Sequence, residues 1–402
     1  MLSYSLVRLK NSLPLYIFFI KTQNQRDGSV VPALAELGSC NVFFPDSWII
    51  DSGYSRSQTV DSLVGITRNA TDPDNSICAV IGPIEPRACE GTSVLTENLR
   101  IPQIAYATID KRLDRIRDFP TFVRGIPTAV DYAETIATFV QRDVWKRDYF
   151  GIIYDQSDYG EQYEDPLEDA EDSLGFVTIT EHVVESDPGT WDEAFEEAEG
   201  EGYHTNFFAT DRPAMLNKAA NVTERLGLIG DEYLWVLTGD ILPPELFSTL
   251  RFEVDSPVDK FLRGAYVVTN YDPFVYEPET DPFLTAWKSN GDELLDRLKA
   301  IHPLSPDDPG YYVGEPGYFE STTPTEYASF LYDAVITAGI SACKSQHSGE
   351  SHLSEIFKSD FVGASGRVVY KEGTNGRDRV GAKFGVFNIR PGEVDEATNT
   401  RG

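Results

Sequence analysis

Apolar residues fall along this chain in two alternating patterns. Short apolar runs closed by turn signals read as strands buried on both faces. Between about residues 42 and 270 these runs are 77–81 (before Gly82-Pro83), 103–106, 149–154, 176–180, 206–208, 233–237 and 264–268. Between them, apolar residues recur at helical spacing. Val130, Ala133, Ile136, Ala137, Val140 and Val144 share one face, and Met215, Leu216, Ala219, Val222 and Leu226 share another. Asp211 and Pro213 open the second of these helices and Gly227 closes it. Strand–helix–strand alternation predicts βαβ units in an α/β fold. The sheet is then mostly parallel and covered on both faces, and its ligands sit beyond the carboxyl ends of its strands.

The pattern changes after residue 271. Residues 272–320 are rich in Pro, Asp, Gly and Tyr and predict long loops around one helix, 283–301. A strongly apolar helix is predicted from 325 to about 343, carrying Phe330, Ala334, Val335, Ala338 and Ile340, and 361–370 reads as a turn into a strand. The stretch 161–201 is very acidic and reads as a solvated helical face. Near the start, residues 13–20 (LPLYIFFI) form the longest nearly apolar run. That is far short of the roughly 20 residues that span a bilayer. With Arg8 and Lys10 ahead of it, the run reads either as a buried first strand or as the core of a signal peptide.

Charge narrows the partners. Acidic residues number 65 against 34 basic ones, a formal charge of −31. A surface of that sign repels a phosphate backbone and an anionic lipid face, so nucleic acid is excluded as a partner. The four cysteines, Cys40, Cys78, Cys89 and Cys343, form no CxxC pair, which argues against a zinc ribbon or a thioredoxin-type site. Two sequons, Asn69-Ala-Thr71 and Asn221-Val-Thr223, mark surface positions if the chain is secreted. There is no GxGxxG after a strand, no GxxxxGK[ST], no HExxH and no GxSxG. His347 and His352 flank Glu350 in what reads as a polar surface loop rather than a metal site. Asp72-Pro-Asp74-Asn75 lacks the glycine and closing glutamate of a calcium loop and reads as a turn. Nothing assembles a nucleophile, base and orienting group, so binding is predicted rather than catalysis, with no cofactor and no metal.

Several segments occur in an order that resembles a known family. They are Cys78-Ala-Val-Ile-Gly-Pro83, Ile101-Pro-Gln-Ile-Ala-Tyr-Ala-Thr108 and Phe119-Pro-Thr-Phe-Val-Arg-Gly-Ile-Pro127. Ser157-Asp-Tyr-Gly-Glu161 follows, then Tyr327-Ala-Ser-Phe-Leu-Tyr-Asp-Ala-Val335 and Phe361-Val-Gly-Ala-Ser-Gly-Arg-Val368. Together, over roughly residues 30–390, they resemble the receptor ligand-binding regions with the periplasmic-binding-protein type I fold. These are the ectodomains of class C G-protein-coupled receptors, metabotropic glutamate and GABA-B types in particular, and of natriuretic peptide receptors.

The resemblance implies two α/β lobes, each a mostly parallel sheet flanked by helices, joined by three crossovers. Lobe 1 would comprise residues 1–125 and 272–364, and lobe 2 residues 126–271 and 365–402. It implies a small ligand of amino-acid type. The first lobe would offer a helix N-terminus and hydroxyls to the ligand carboxylate, at Glu85, Arg87, Ala107 and Thr108. The second would offer Tyr159 and Asp240 to its ammonium group. The chain departs from the amino-acid receptors at Ile84-Glu-Pro-Arg-Ala88, where a serine-rich turn is replaced and a carboxylate would meet Glu85 unless Arg87 turned inward. Family disulfides cluster in the first lobe, where Cys40, Cys78 and Cys89 fall; the pairing, and whether Cys343 joins it, stay open.

The function implied is an extracellular ligand-sensing domain that signals by lobe closure, as a homo- or heterodimer through lobe 1, with the membrane-spanning region outside this chain. The alternative is a soluble solute-binding protein of a transport system.

Overall fold

The computed structural model describes residues 2–8, 28–37, 40, 42–43, 49–51, 55–69, 77–139, 149–175, 177–200, 202–239, 252–289, 296, 316–324, 327–345, 349–371, 373–378, 381, 383–390, 392, 394–395 and 400–401. In chain order the first elements are β1 (Leu2–Arg8), β2 (Val42–Phe43), β3 (Ile49–Asp51), α1 (Arg56–Asn69), β4 (Ile77–Ile81), α2 (Pro86–Leu99), β5 (Gln103–Ala105), β6 (Phe122–Arg124) and α3 (Ala129–Thr138). Next come β7 (Tyr149–Asp155), α4 (Asp158–Leu174), β8 (Val177–Val183), α5 (Pro188–Gly200), β9 (Thr205–Ala209), α6 (Pro213–Leu226), β10 (Leu234–Thr238), β11 (Phe252–Glu253), α7 (Pro257–Leu262) and β12 (Tyr266–Asn270). The last are α8 (Pro273–Tyr276), α9 (Pro282–Lys288), α10 (Tyr318–Ser321), α11 (Ala328–Ser345), α12 (Gly349–Phe357), β13 (Asp360–Gly363), β14 (Gly366–Val369), β15 (Phe384–Asn388), β16 (Val394–Asp395) and β17 (Thr400–Arg401).

Two compact units divide these elements. Unit 1 is Met1–Thr128 with Asp272–Ala382, and unit 2 is Ala129–Tyr271 with Lys383–Gly402, so the chain passes between them three times. The sheet of unit 1 runs β2-β1-β4-β5-β6, with β3 also on β1, and every pairing is parallel. The sheet of unit 2 runs β15-β12-β10-β9-β7-β8, parallel except for β15 on β12. β4, an unbroken apolar run, is almost wholly buried, and β9 is wholly buried with its Thr205 and Asn206 included. In unit 2, Trp191, Phe195, Phe208, Trp235 and Phe261 form the centre of one apolar core.

In unit 1 the motif residues serve the scaffold. Gln103 is fully buried, and its amide donates to Gly82 O (3.1 Å) and Thr92 Oγ1 (2.8 Å), tying β5 to the end of β4 and to α2. Arg124 is equally buried and reaches Asp110 O at 2.7 Å and the Asp114 carboxylate at 2.6 Å. Helix α11 is buried on every face from Ala328 to Ala342, so its one carboxylate, Asp333, needs internal donors. It accepts from Ala364 N (2.7 Å), Ser365 N (2.9 Å) and the Ser365 hydroxyl. Arg377, also buried, lies 3.9 Å away, donates to Ser365 Oγ at 2.6 Å and holds Gly125 O at 3.2 Å. Burial pushes the Asp333 carboxyl up, and Arg377 and the Ser365 donors oppose that rise. Gly363 is required here, because a Cβ would collide with the Asp333 carboxylate.

Some expectations need correction. The first strand is β1, Leu2–Arg8, while residues 13–20 lie outside the described residues, as do 72–75 and His347. Residues 365–382 belong to unit 1 rather than to the second lobe, because Ser365 and Arg377 are bound into the Asp333 cluster. His352 is no surface-loop residue. It lies on α12, 2% exposed, with Nδ1 3.2 Å from Cys78 O and Nε2 3.0 Å from Ser341 Oγ and 3.1 Å from Ala338 O. The strand expected at 176–180 extends to Val183, as the outer strand of its sheet. The disulfide joins Cys40 to Cys343, on α11, and leaves Cys78 and Cys89 as thiols. Among the described residues, no helix is long and apolar enough to cross a membrane.

Removing the carboxylate should strand the buried donors and Arg377. Asp333→Ala is expected to lower stability by about 3–5 kcal/mol in denaturant unfolding. A loss below about 1 kcal/mol would mean that water satisfies these groups.

Candidate functional site

The strand order places the polar chemistry of each unit. In unit 1 the order reverses beside β1, between β1 and β4; in unit 2 it reverses beside β7, between β7 and β9. Crevices open outside the carboxyl ends of parallel strands at such reversals.

In unit 1, residues 82–85 leave β4 and residues 106–108 leave the adjacent β5, with Gly82 N bonded to Ile104 O at 2.8 Å. Glu85 sits at the N-cap of α2 without a side-chain cap hydrogen bond, half-buried, with one carboxylate oxygen shielded from solvent. Arg87, in the first turn of α2, is exposed. Ala107 and Thr108 are buried, and Thr108 Oγ1 meets no hydrogen-bond partner among the described residues. Burial, with Glu85 beside it, pushes the Cys89 thiol up, so Cys89 is no thiolate.

In unit 2, Tyr159 lies half-buried in the first turn of α4. Its hydroxyl is 3.1 Å from that of Tyr163, and the two rings are 5.5 Å apart. Ser157 caps the helix by accepting from Gly160 N at 3.1 Å and donates to Asp155. Gly160 explains its own motif: a Cβ there would run into the Asp155 backbone oxygen. Asp240 lies outside the described residues.

The structure adds a group that the sequence reading missed. Asp155 ends β7, is 1% exposed, and accepts from Thr210 Oγ1 at 2.7 Å, just beyond β9. Thr238 Oγ1 in turn donates to Thr210 O at 2.8 Å, so three strand ends share one network. Arg212 approaches Asp155 at 3.8 Å and donates to Glu185 Oε2 at 3.0 Å. Lys218 Nζ donates to Glu185 O at 2.5 Å and stands 5.9 Å from the Trp191 ring centroid. Asp155, Glu185, Arg212 and Lys218, with Gln156, Val183, Val184, Ser186 and Met215, line a cavity of about 450 Å³. The only sequence signals were an Asp closing an apolar run and an Arg between a strand and a helix-opening proline.

Residues 46–391 match the family described as the receptor family ligand binding region. The chain belongs to this family. Of the curated relatives, taste receptor type 1 member 2 of Rattus norvegicus is 26% identical over 102 residues, 25% of this chain and 12% of that receptor. Taste receptor type 1 member 1 of Homo sapiens is 26% identical over 109 residues, 27% of this chain and 13% of that receptor. The match thus spans about an eighth of these class C receptors. Among solved structures, a leucine-binding protein from Thermotoga maritima gives a TM-score of 0.61 at 13% identity, covering 97% of this chain and 96% of that one. An ABC-transporter substrate-binding protein from Desulfitobacterium hafniense, in complex with Leu, gives 0.63 at 14%, covering 97% of each. The ligand-binding region therefore has the periplasmic-binding-protein type I fold.

Two substitutions separate scaffold from candidate site in this ligand-binding region. Gly160→Ala should lower stability by about 1–3 kcal/mol, read by urea unfolding, through the clash with Asp155. Tyr159→Ala should keep its fold and weaken a cationic ligand by about 1–2 kcal/mol in calorimetry. Equal affinity would remove Tyr159 from the site.

Proposed function

We propose that this chain is the extracellular ligand-sensing domain of a membrane receptor and that its ligand is a small, amino-acid-like molecule. The observation that carries the reading is the family match across residues 46–391. The strand-end chemistry of unit 2 supports it: a cavity of about 450 Å³ with fixed groups of both signs suits a small zwitterion. Ligand binding would act by favouring a closed arrangement of the two lobes over an open one, and a receptor would read that population shift through a dimer formed by lobe 1. In this reading Thr108 and Tyr159 are ligand contacts, Ala107 is wall, and Glu85 and Asp240 favour a ligand with an amine.

A second reading, a soluble solute-binding protein of a transport system, is favoured by one observation: the full-length structural likeness to the leucine-binding and transporter proteins.

The test is a thermal-shift screen with the L-amino acids and simple amines. A ligand present at a hundred times its Kd should stabilise the chain by about 2.7 kcal/mol. No shift with any amino acid or amine would contradict the reading. Light scattering on the same samples separates the two roles: a dimer supports the receptor, and a strict monomer supports the solute-binding protein.

A further inference from the structure

We infer that the cavity of unit 2 takes the free carboxylate of the ligand onto Arg212 and Lys218, displacing Glu185, an assignment that rests on the ligand-binding reading above. The whole chain carries −31, so an anionic group finds an attractive field only where cations converge. Arg212 and Lys218 both line this cavity. Behind Arg212 stands the Asp155 carboxylate, 3.8 Å from the guanidinium Nε and itself fixed by Thr210 and Ser157. A guanidinium presents its donors in one plane, which suits a carboxylate, and Asp155 keeps positive charge favoured at this end of the cavity.

The chain already shows what this arginine accepts. The Glu185 carboxylate occupies it at 3.0 Å, and the same residue's backbone oxygen holds Lys218 at 2.5 Å. The Arg212 and Glu185 side chains are 45% and 47% exposed, and an ion pair in that setting contributes only about 0–1 kcal/mol. A ligand carboxylate can replace it at small cost and keep the charge balance. Val184 and Met215 supply apolar wall beside the pair, which fits the aliphatic part of an amino acid. Among the described residues of unit 1, the position that the family resemblance assigns to the ligand carboxylate holds Glu85, itself an anion, and Arg87 is exposed.

The test is titration calorimetry of the full chain with the twenty common L-amino acids, followed by the carboxamide of the tightest binder. The expected result is that the carboxamide binds at least about tenfold more weakly, Arg212→Gln loses about tenfold or more, and Glu185→Gln gains severalfold. Both side chains are half exposed, so thermal melting should confirm folded variants. Unchanged affinity in Arg212→Gln, or equal binding of acid and carboxamide, overturns the assignment and leaves the ligand-binding reading standing. A loss in Glu185→Gln equal to that in Arg212→Gln overturns the displacement. No binding of any amino acid by the native chain overturns the amino-acid reading and the assignment with it.

Discussion

A parallel sheet covered by helices on both faces has its flanks filled with apolar side chains, and its backbone groups are paired strand to strand. Polar side chains that must meet a ligand are confined to the loops beyond the strand ends, and the crevice opens where strand order reverses. Both units obey this constraint. In unit 1 it selects the segments after β4 and β5, with Glu85 and Thr108. In unit 2 it selects the ends of β7, β8 and β9, where Asp155, Glu185 and Arg212 come together although 55 residues separate Asp155 from Thr210.

The constraint also explains why many residues of the recognisable motifs serve the scaffold. Gln103, Arg124, Gly160, Asp333, Ser365 and Arg377 all serve the interior. Gln103 ties β5 to β4 and α2; Arg124 holds Asp110 and Asp114; Gly160 makes room for Asp155. The late segments around Asp333 and Ser365 meet each other in one buried cluster. Changes at such groups are costly, because an unpaired polar group in a core costs several times what a surface change does.

Legibility in the sequence follows the same division. The runs of β4, β7 and β10 were readable because strands buried on both faces are mostly apolar, and β9 through its Phe207-Phe208 pair. β8 was read short because it is the outer strand, half-buried, and tolerates Glu181 and His182. β1 was missed because LSYSLVR mixes polar and apolar positions while a more apolar run follows it. His352 looked like a loop residue because its burial depends on the Cys78 and Ala338 carbonyls, which no local pattern reveals. The Cys40–Cys343 pairing spans 303 residues and was equally hidden. Tyr159 and Thr108 are candidates through their motifs, whereas Arg212 and Glu185 have no motif around them.

The most direct test of the account is hydrogen–deuterium exchange of the full chain with and without the amino acid that binds it. The account predicts ligand protection at the carboxyl ends of β7, β8 and β9 and in the first turns of α4 and α6, with the opposite strand ends unchanged. Protection at the amino ends of the strands, or none at the carboxyl ends despite saturating ligand, would contradict it.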